Sequence, residues 1–77
     1  MEVTITLVRK DKKINVQFLA TDKVADVIKA ATELFNLPLE SFVLITEHDD
    51  ILKQETFLDK DTFDGIEINV FIISYSQ

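Results

Sequence analysis

The sequence has no cysteine in 77 residues, which excludes disulfide staples, thiolate metal ligands and a cysteine nucleophile, and fits a reducing compartment such as the cytoplasm or nucleus. It holds a single glycine and a single proline, so no glycine-rich loop is available to cradle a phosphate, and long flexible loops are not expected. No signal peptide and no apolar run of membrane-spanning length can be read, and no membrane contact is expected. Positive charge is also short. The net charge is −6, with six Lys/Arg against four Asp/Glu in residues 1–29 and two against ten thereafter. An acidic chain repels the phosphate backbone, so nucleic acid is not an expected partner.

The only histidine, His48, lies in the run Glu47-His48-Asp49-Asp50. Consecutive side chains in one turn rarely converge on an ion, and no second histidine is present to complete a site. The run reads as a solvated acidic turn, with no metal and no cofactor expected. No Ser/His/acid arrangement suggests itself, and Tyr75 stands near the terminus without an evident partner, so an enzyme is not expected. What the chain does have is 47% hydrophobic and 29% charged residues, the balance of one small globular domain spanning 1–77.

The pattern of Ile66–Ser74 organises the rest. Ile66, Ile68 and Val70 alternate with Glu67 and Asn69, so the first set faces a core and the second faces water. In that register Ile72 points inward while Phe71 and Ile73 point outward. Upstream, Val3, Ile5 and Leu7 alternate with Glu2, Thr4 and Thr6 as a first strand, and Ile14, Val16 and Phe18 alternate with Lys13, Asn15 and Gln17 as a second. Asp11 and Lys12 sit near the tip of the hairpin between them, and the lack of glycine there points to a loop longer than two residues. Val24, Val27, Ile28, Ala31, Leu34 and Phe35 recur at helical spacing, predicting a helix over about 23–35 with Asp22 as N-cap, Asp26 in the first turn, Asn36 in the left-handed C-terminal position and Pro38 as terminator. Phe42–Thr46 reads as a third strand whose register four consecutive apolar residues leave open. Ile51-Leu52 fits a very short fourth strand, and Glu55–Asp61 a single helical turn. Asp64-Gly65 punctuates the entry to the last strand.

Two strands, a helix and further strands without a second long helix predict an α+β fold rather than a wound parallel sheet. Pairing the first and last strands in parallel at the sheet centre, with the helix across the inner face, gives a β-grasp with a mixed sheet of four to five strands. This order resembles ubiquitin and ubiquitin-like domains over essentially the whole chain. Carrying the resemblance are Met1 leading directly into a strand, Thr21-Asp22 before the helix, Leu37-Pro38-Leu39-Glu40 after it, Leu44-Ile45 in the third strand and Phe57-Leu58-Asp59 near the family's short Thr-Leu-x-Asp segment.

The resemblance implies Phe42 and Leu44 inward and Val43 and Ile45 outward, beside Phe71 and Ile73 of the last strand. It further implies a binding patch of Val8, Val43, Ile45, Asn69, Phe71 and Ile73, with Asn69 where ubiquitin has its patch histidine and Phe71 where it has its patch valine. The function expected is a non-catalytic interaction domain that binds proteins non-covalently. Ubiquitin-receptor helices or domains and proteasome-associated factors are the partners implied, placing the protein in the ubiquitin–proteasome pathway as a monomer or as the N-terminal domain of a longer chain. The sequence closes Ile73-Ser74-Tyr75-Ser76-Gln77, without the Gly-Gly of the family's conjugated members, so covalent attachment to targets is not expected. A blander reading has the patch covered by another domain or a dimer mate. The other function class is a small-GTPase-binding or cytoskeletal-adaptor lobe (Ras-association or FERM-lobe type) of the same fold. There Arg9, Lys10, Lys12 and Lys13 of the first hairpin would meet an acidic partner, although the same lysines at a hairpin tip also serve solubility.

Overall fold

A computed structural model describes residues 1–73. The alternating segments form β1 (Glu2–Arg9) and β2 (Lys12–Leu19); α1 (Val24–Phe35) follows, then β3 (Phe42–Thr46), the single turn α2 (Lys60–Phe63) and β4 (Glu67–Ile72). The sheet order is β2-β1-β4-β3, with β1 and β4 parallel at the centre and both outer pairings antiparallel. The fold is thus an α+β β-grasp of four strands with one helix across the inner face.

Strand parity decides the core. Val3, Ile5 and Leu7 of β1 are completely buried, as is Ile68 of β4, and they meet Val24, Val27 and Ala31 of α1. Phe42 and Leu44 complete that face from β3, so the register that four apolar residues left open is the one with Val43 and Ile45 outward. Ile72 shares the inner parity but stays 38% exposed, because it sits opposite Phe42 on the last rung of the β3–β4 ladder, where the sheet outruns its cover.

Four expectations are corrected. The first hairpin has a two-residue turn, Lys10-Asp11, with Arg9 opposite Lys12; Lys10 supplies the positive φ (57°) that glycine would supply at less cost. Asp22 is not the helix N-cap. Its carboxylate accepts from the Leu19 N–H (2.9 Å) and braces the β2–α1 turn, while Asp26 accepts from the N–H of Lys23, the residue in the N-cap position. The free N–H groups of Val24 and Ala25 donate to the carbonyls of Thr56 and Gln54 (2.9 and 3.0 Å), a cap delivered from a distant loop that local sequence cannot reveal. Ile51-Leu52 makes only an isolated antiparallel bridge, Ile51 to Ile45, not a strand. The helical turn falls at Lys60–Phe63, after Phe57-Leu58 rather than around them, with Asp59 as its N-cap accepting from the Thr62 N–H at 3.0 Å.

The segment before β4 is held to β1 by polar contacts. The Thr4 N–H donates to Asp64 Oδ1 at 2.9 Å, Lys60 Nζ donates to Oδ2 at 3.1 Å, and the Gly65 N–H donates to the Thr4 carbonyl at 2.7 Å. The Thr4 hydrogen bond first, and the Lys60 hydrogen bond and charge next, hold the Asp64 carboxyl below its ordinary value despite a smaller opposing contribution from desolvation. Gly65 itself sits at φ +82°, a conformation that side-chain-bearing residues adopt only with strain.

Candidate functional site

The outer face of the sheet is built row by row from the strand registers. Across the middle run Lys13 of β2, Val8 of β1, Asn69 of β4 and Ile45 of β3, each opposite the next. One step along the strands, Phe71 stands opposite Val43. Directly opposed side chains lie about 4.5–5.5 Å apart at Cβ, so these residues form a continuous surface. Phe71 is 56% exposed and Ile73, just past the end of β4, is 40% exposed, while Val8, Val43 and Ile45 are half-buried. The strand registers therefore bring Val8, Val43, Ile45, Asn69 and Phe71 of the expected patch onto one face, and Ile73 follows just beyond the last rung.

The structure also adds a residue that the sequence left out. Ile51 bridges Ile45 from the side away from β4, on the same face, and is 63% exposed. A lone isoleucine after an acidic turn gave no periodic signal; only the chain reversal through Glu47–Asp50 returns it to the sheet. Asp50 makes that reversal, its N–H donating to Thr46 Oγ1 at 3.2 Å and its carbonyl accepting from the Thr46 N–H at 2.9 Å. The row thus runs Val8–Asn69–Ile45–Ile51, apolar but for the Asn69 amide, with acids at the β3 end and the exposed pair Lys13–Glu67 (3.2 Å) at the β2 end.

The basic hairpin does not act as one cluster. Lys13 shares the outer face with Val8 and is engaged by Glu67. Arg9 and Lys12 face each other on the opposite side of the sheet, and with Lys10 and Asp11 they border a concavity closed by Leu34, Phe35 and Asn36 at the end of α1. Strand β2 is an edge, as the second reading requires, and its outward Asn15 is held by the Thr6 hydroxyl, Oγ1 to Oδ1 at 2.6 Å. His48 is exposed and, with Glu47 and Asp50, borders a pocket floored by Leu52, Phe63 and Ile66. Among the described residues no group of three His, Asp or Glu side chains is placed to hold a metal, and no helix is long and apolar enough to cross a membrane. Tyr75 and the closing residues 74–77 lie outside the described part.

No protein-family description and no curated protein matches the sequence. Solved structures do match in shape. The ubiquitin of Caldiarchaeum subterraneum superposes with a TM-score of 0.85 at 15% identity, covering 100% of both chains. A ubiquitin-like domain from Arabidopsis thaliana gives 0.80 at 19% identity over 99% of this chain and 82% of that one. The ubiquitin-like domain of Plasmodium falciparum Dsk2 gives 0.72 at 22% identity over 91% of this chain and 99% of that one. With the strand order, the parallel central pair and the helix across the sheet, these likenesses make the fold a ubiquitin-like β-grasp.

Proposed function

We propose that the chain is a non-catalytic interaction domain whose outer sheet face binds other proteins without covalent attachment. The observation that carries this reading is Phe71, a phenylalanine more than half exposed on the outer sheet face near the end of the β3–β4 ladder, opposite Val43 and one step from the row that holds Ile45 and Ile51. Contiguous exposed apolar area is uncommon on monomers and marks interaction surfaces, and an exposed aromatic side chain within it suits a binding anchor. Burying such a patch contributes about 25 cal/mol per Å² of apolar surface before the costs of association. Lys13 and Glu67 on one rim and Glu47, Asp49 and Asp50 on the other would set orientation and on-rate rather than affinity. The apolar face of a ubiquitin-receptor helix or a ubiquitin-associated domain is the kind of partner this surface fits, by analogy with the ubiquitin-like fold.

The test is chemical-shift mapping of the nitrogen-labelled protein titrated with a ubiquitin-interacting helix and, separately, with a ubiquitin-associated domain. Amide shifts gathered at Val8, Val43, Ile45, Ile51, Asn69 and Phe71 support the reading. Shifts gathered at the hairpin tip or on α1, or none with either probe, contradict it.

A further inference from the structure

The opposite side of the first hairpin carries a second feature that the outer patch does not use. Arg9, Lys10 and Lys12, with the single acid Asp11 between the lysines, border a concave pocket of about 280 Å³, walled by Leu34 and Phe35 and closed by Asn36. In a chain of net charge −6 this is a local concentration of cations. Among the described residues, the ion pairs are Lys13–Glu67 and Lys60–Asp64; Arg9, Lys10 and Lys12 form none, and Asp11 on the same rim leaves them in excess. Arg9 Nε is moreover shut off from water without a hydrogen-bond acceptor, the single such side-chain atom among the described residues. A buried donor left unmade is costly and needs a reason. Strand parity explains how Arg9 comes to lie there. It continues the inward parity of the fully buried Val3, Ile5 and Leu7, and it shares the pocket lining with Leu34, Phe35 and Asn36 at the end of α1.

We propose that this pocket binds an acidic peptide segment of a partner protein, the carboxylates meeting Arg9, Lys10 and Lys12 and one apolar side chain resting on Leu34 and Phe35. Leu34 is 42% exposed and supplies the apolar contact at the mouth. A nucleic acid is the poorer occupant, because the wall is aliphatic and aromatic in one small pocket while the rest of the surface is acidic and repels a long polyanion. The site is separate from the outer sheet face, so it stands or falls independently of the function proposed above.

A labelled glutamate-rich peptide with one central leucine, titrated by fluorescence anisotropy at low and at moderate salt, tests the assignment. Binding is expected to weaken steeply with salt. It should fall about tenfold in the Lys10→Gln/Lys12→Gln double variant and fall again when the peptide leucine is replaced by glycine. Both lysines are exposed, so the double variant keeps the fold, and unchanged thermal unfolding checks this. Phe71→Ala should leave this affinity unchanged. No binding at low salt overturns the proposal, as does an equal loss in Lys13→Gln, which would indicate diffuse attraction. Tighter binding of a single-stranded oligonucleotide than of the peptide overturns it too.

Discussion

Phe57 and Leu58 are neighbours in sequence with opposite fates. Leu58 is fully buried, its N–H donating to the Asp22 carbonyl at 2.9 Å, whereas Phe57 is 56% exposed with the Lys23 ammonium 4.9 Å from its ring centroid. Removing a buried leucine costs the transfer term plus a cavity, so Leu58→Ala should destabilise by about 2–5 kcal/mol. An exposed cation–π contact contributes far less, and Phe57→Ala should cost about 0.5–1 kcal/mol. Urea unfolding of the two variants measures both. Asp64 gives a prediction in pH. Its carboxyl is held below its ordinary value by Thr4 and Lys60, so the stability it contributes is complete above the unfolded-state value and is lost as pH falls through the lower folded one. Asp64→Asn should therefore lower the unfolding midpoint at neutral pH and flatten its decline on acidification. An acid limb identical to that of the parent protein would contradict this.

At the scale of elements, the turn between β1 and β2 shows what a pattern can and cannot reveal. Glycine's absence suggested a longer loop, yet the ladder closes at Arg9–Lys12 with Lys10 at φ 57°. The reason is pairing: eight consecutive rungs between β1 and β2 outweigh the strain of about 1 kcal/mol at one lysine. Lys10→Gly should relieve that strain and stabilise the protein by about 0.5–1 kcal/mol in thermal unfolding, and a destabilised variant would place the left-handed residue elsewhere. The strands and the helix were legible because period two and period 3.6 were clean in Val3–Leu7, Ile66–Val70 and Val24–Phe35, and Asn36 does take the left-handed position that ends α1 (φ 55°, ψ 50°). The acidic turn Glu47–Asp50 was legible, but the segment from Ile51 to Asp59 was not. Its structure comes from single long-range hydrogen bonds, Thr56 and Gln54 to the helix start and Leu52 to Leu44, none of which leaves a periodic trace. For the same reason six residues of the candidate patch could be named from strand parity and resemblance, while Ile51, brought in by one bridge, could not.

For the whole molecule, the sheet separates two surfaces of different physics. The outer face carries apolar groups around Asn69, whereas the pocket behind the hairpin is cationic in an acidic chain. Ionic strength distinguishes them: binding through the apolar face should hardly change with added salt, whereas binding through Arg9, Lys10 and Lys12 should weaken steeply. A single variant reaches the central claim directly. Phe71→Ala removes an exposed ring, so its thermal unfolding should stay close to that of the parent, within about 0.5 kcal/mol. Its affinity for a ubiquitin-associated domain or receptor helix, measured by calorimetry, should fall by more than about tenfold, as expected when an aromatic anchor is lost. An affinity equal to that of the parent, in a variant that folds as well, would contradict the outer face as the binding site.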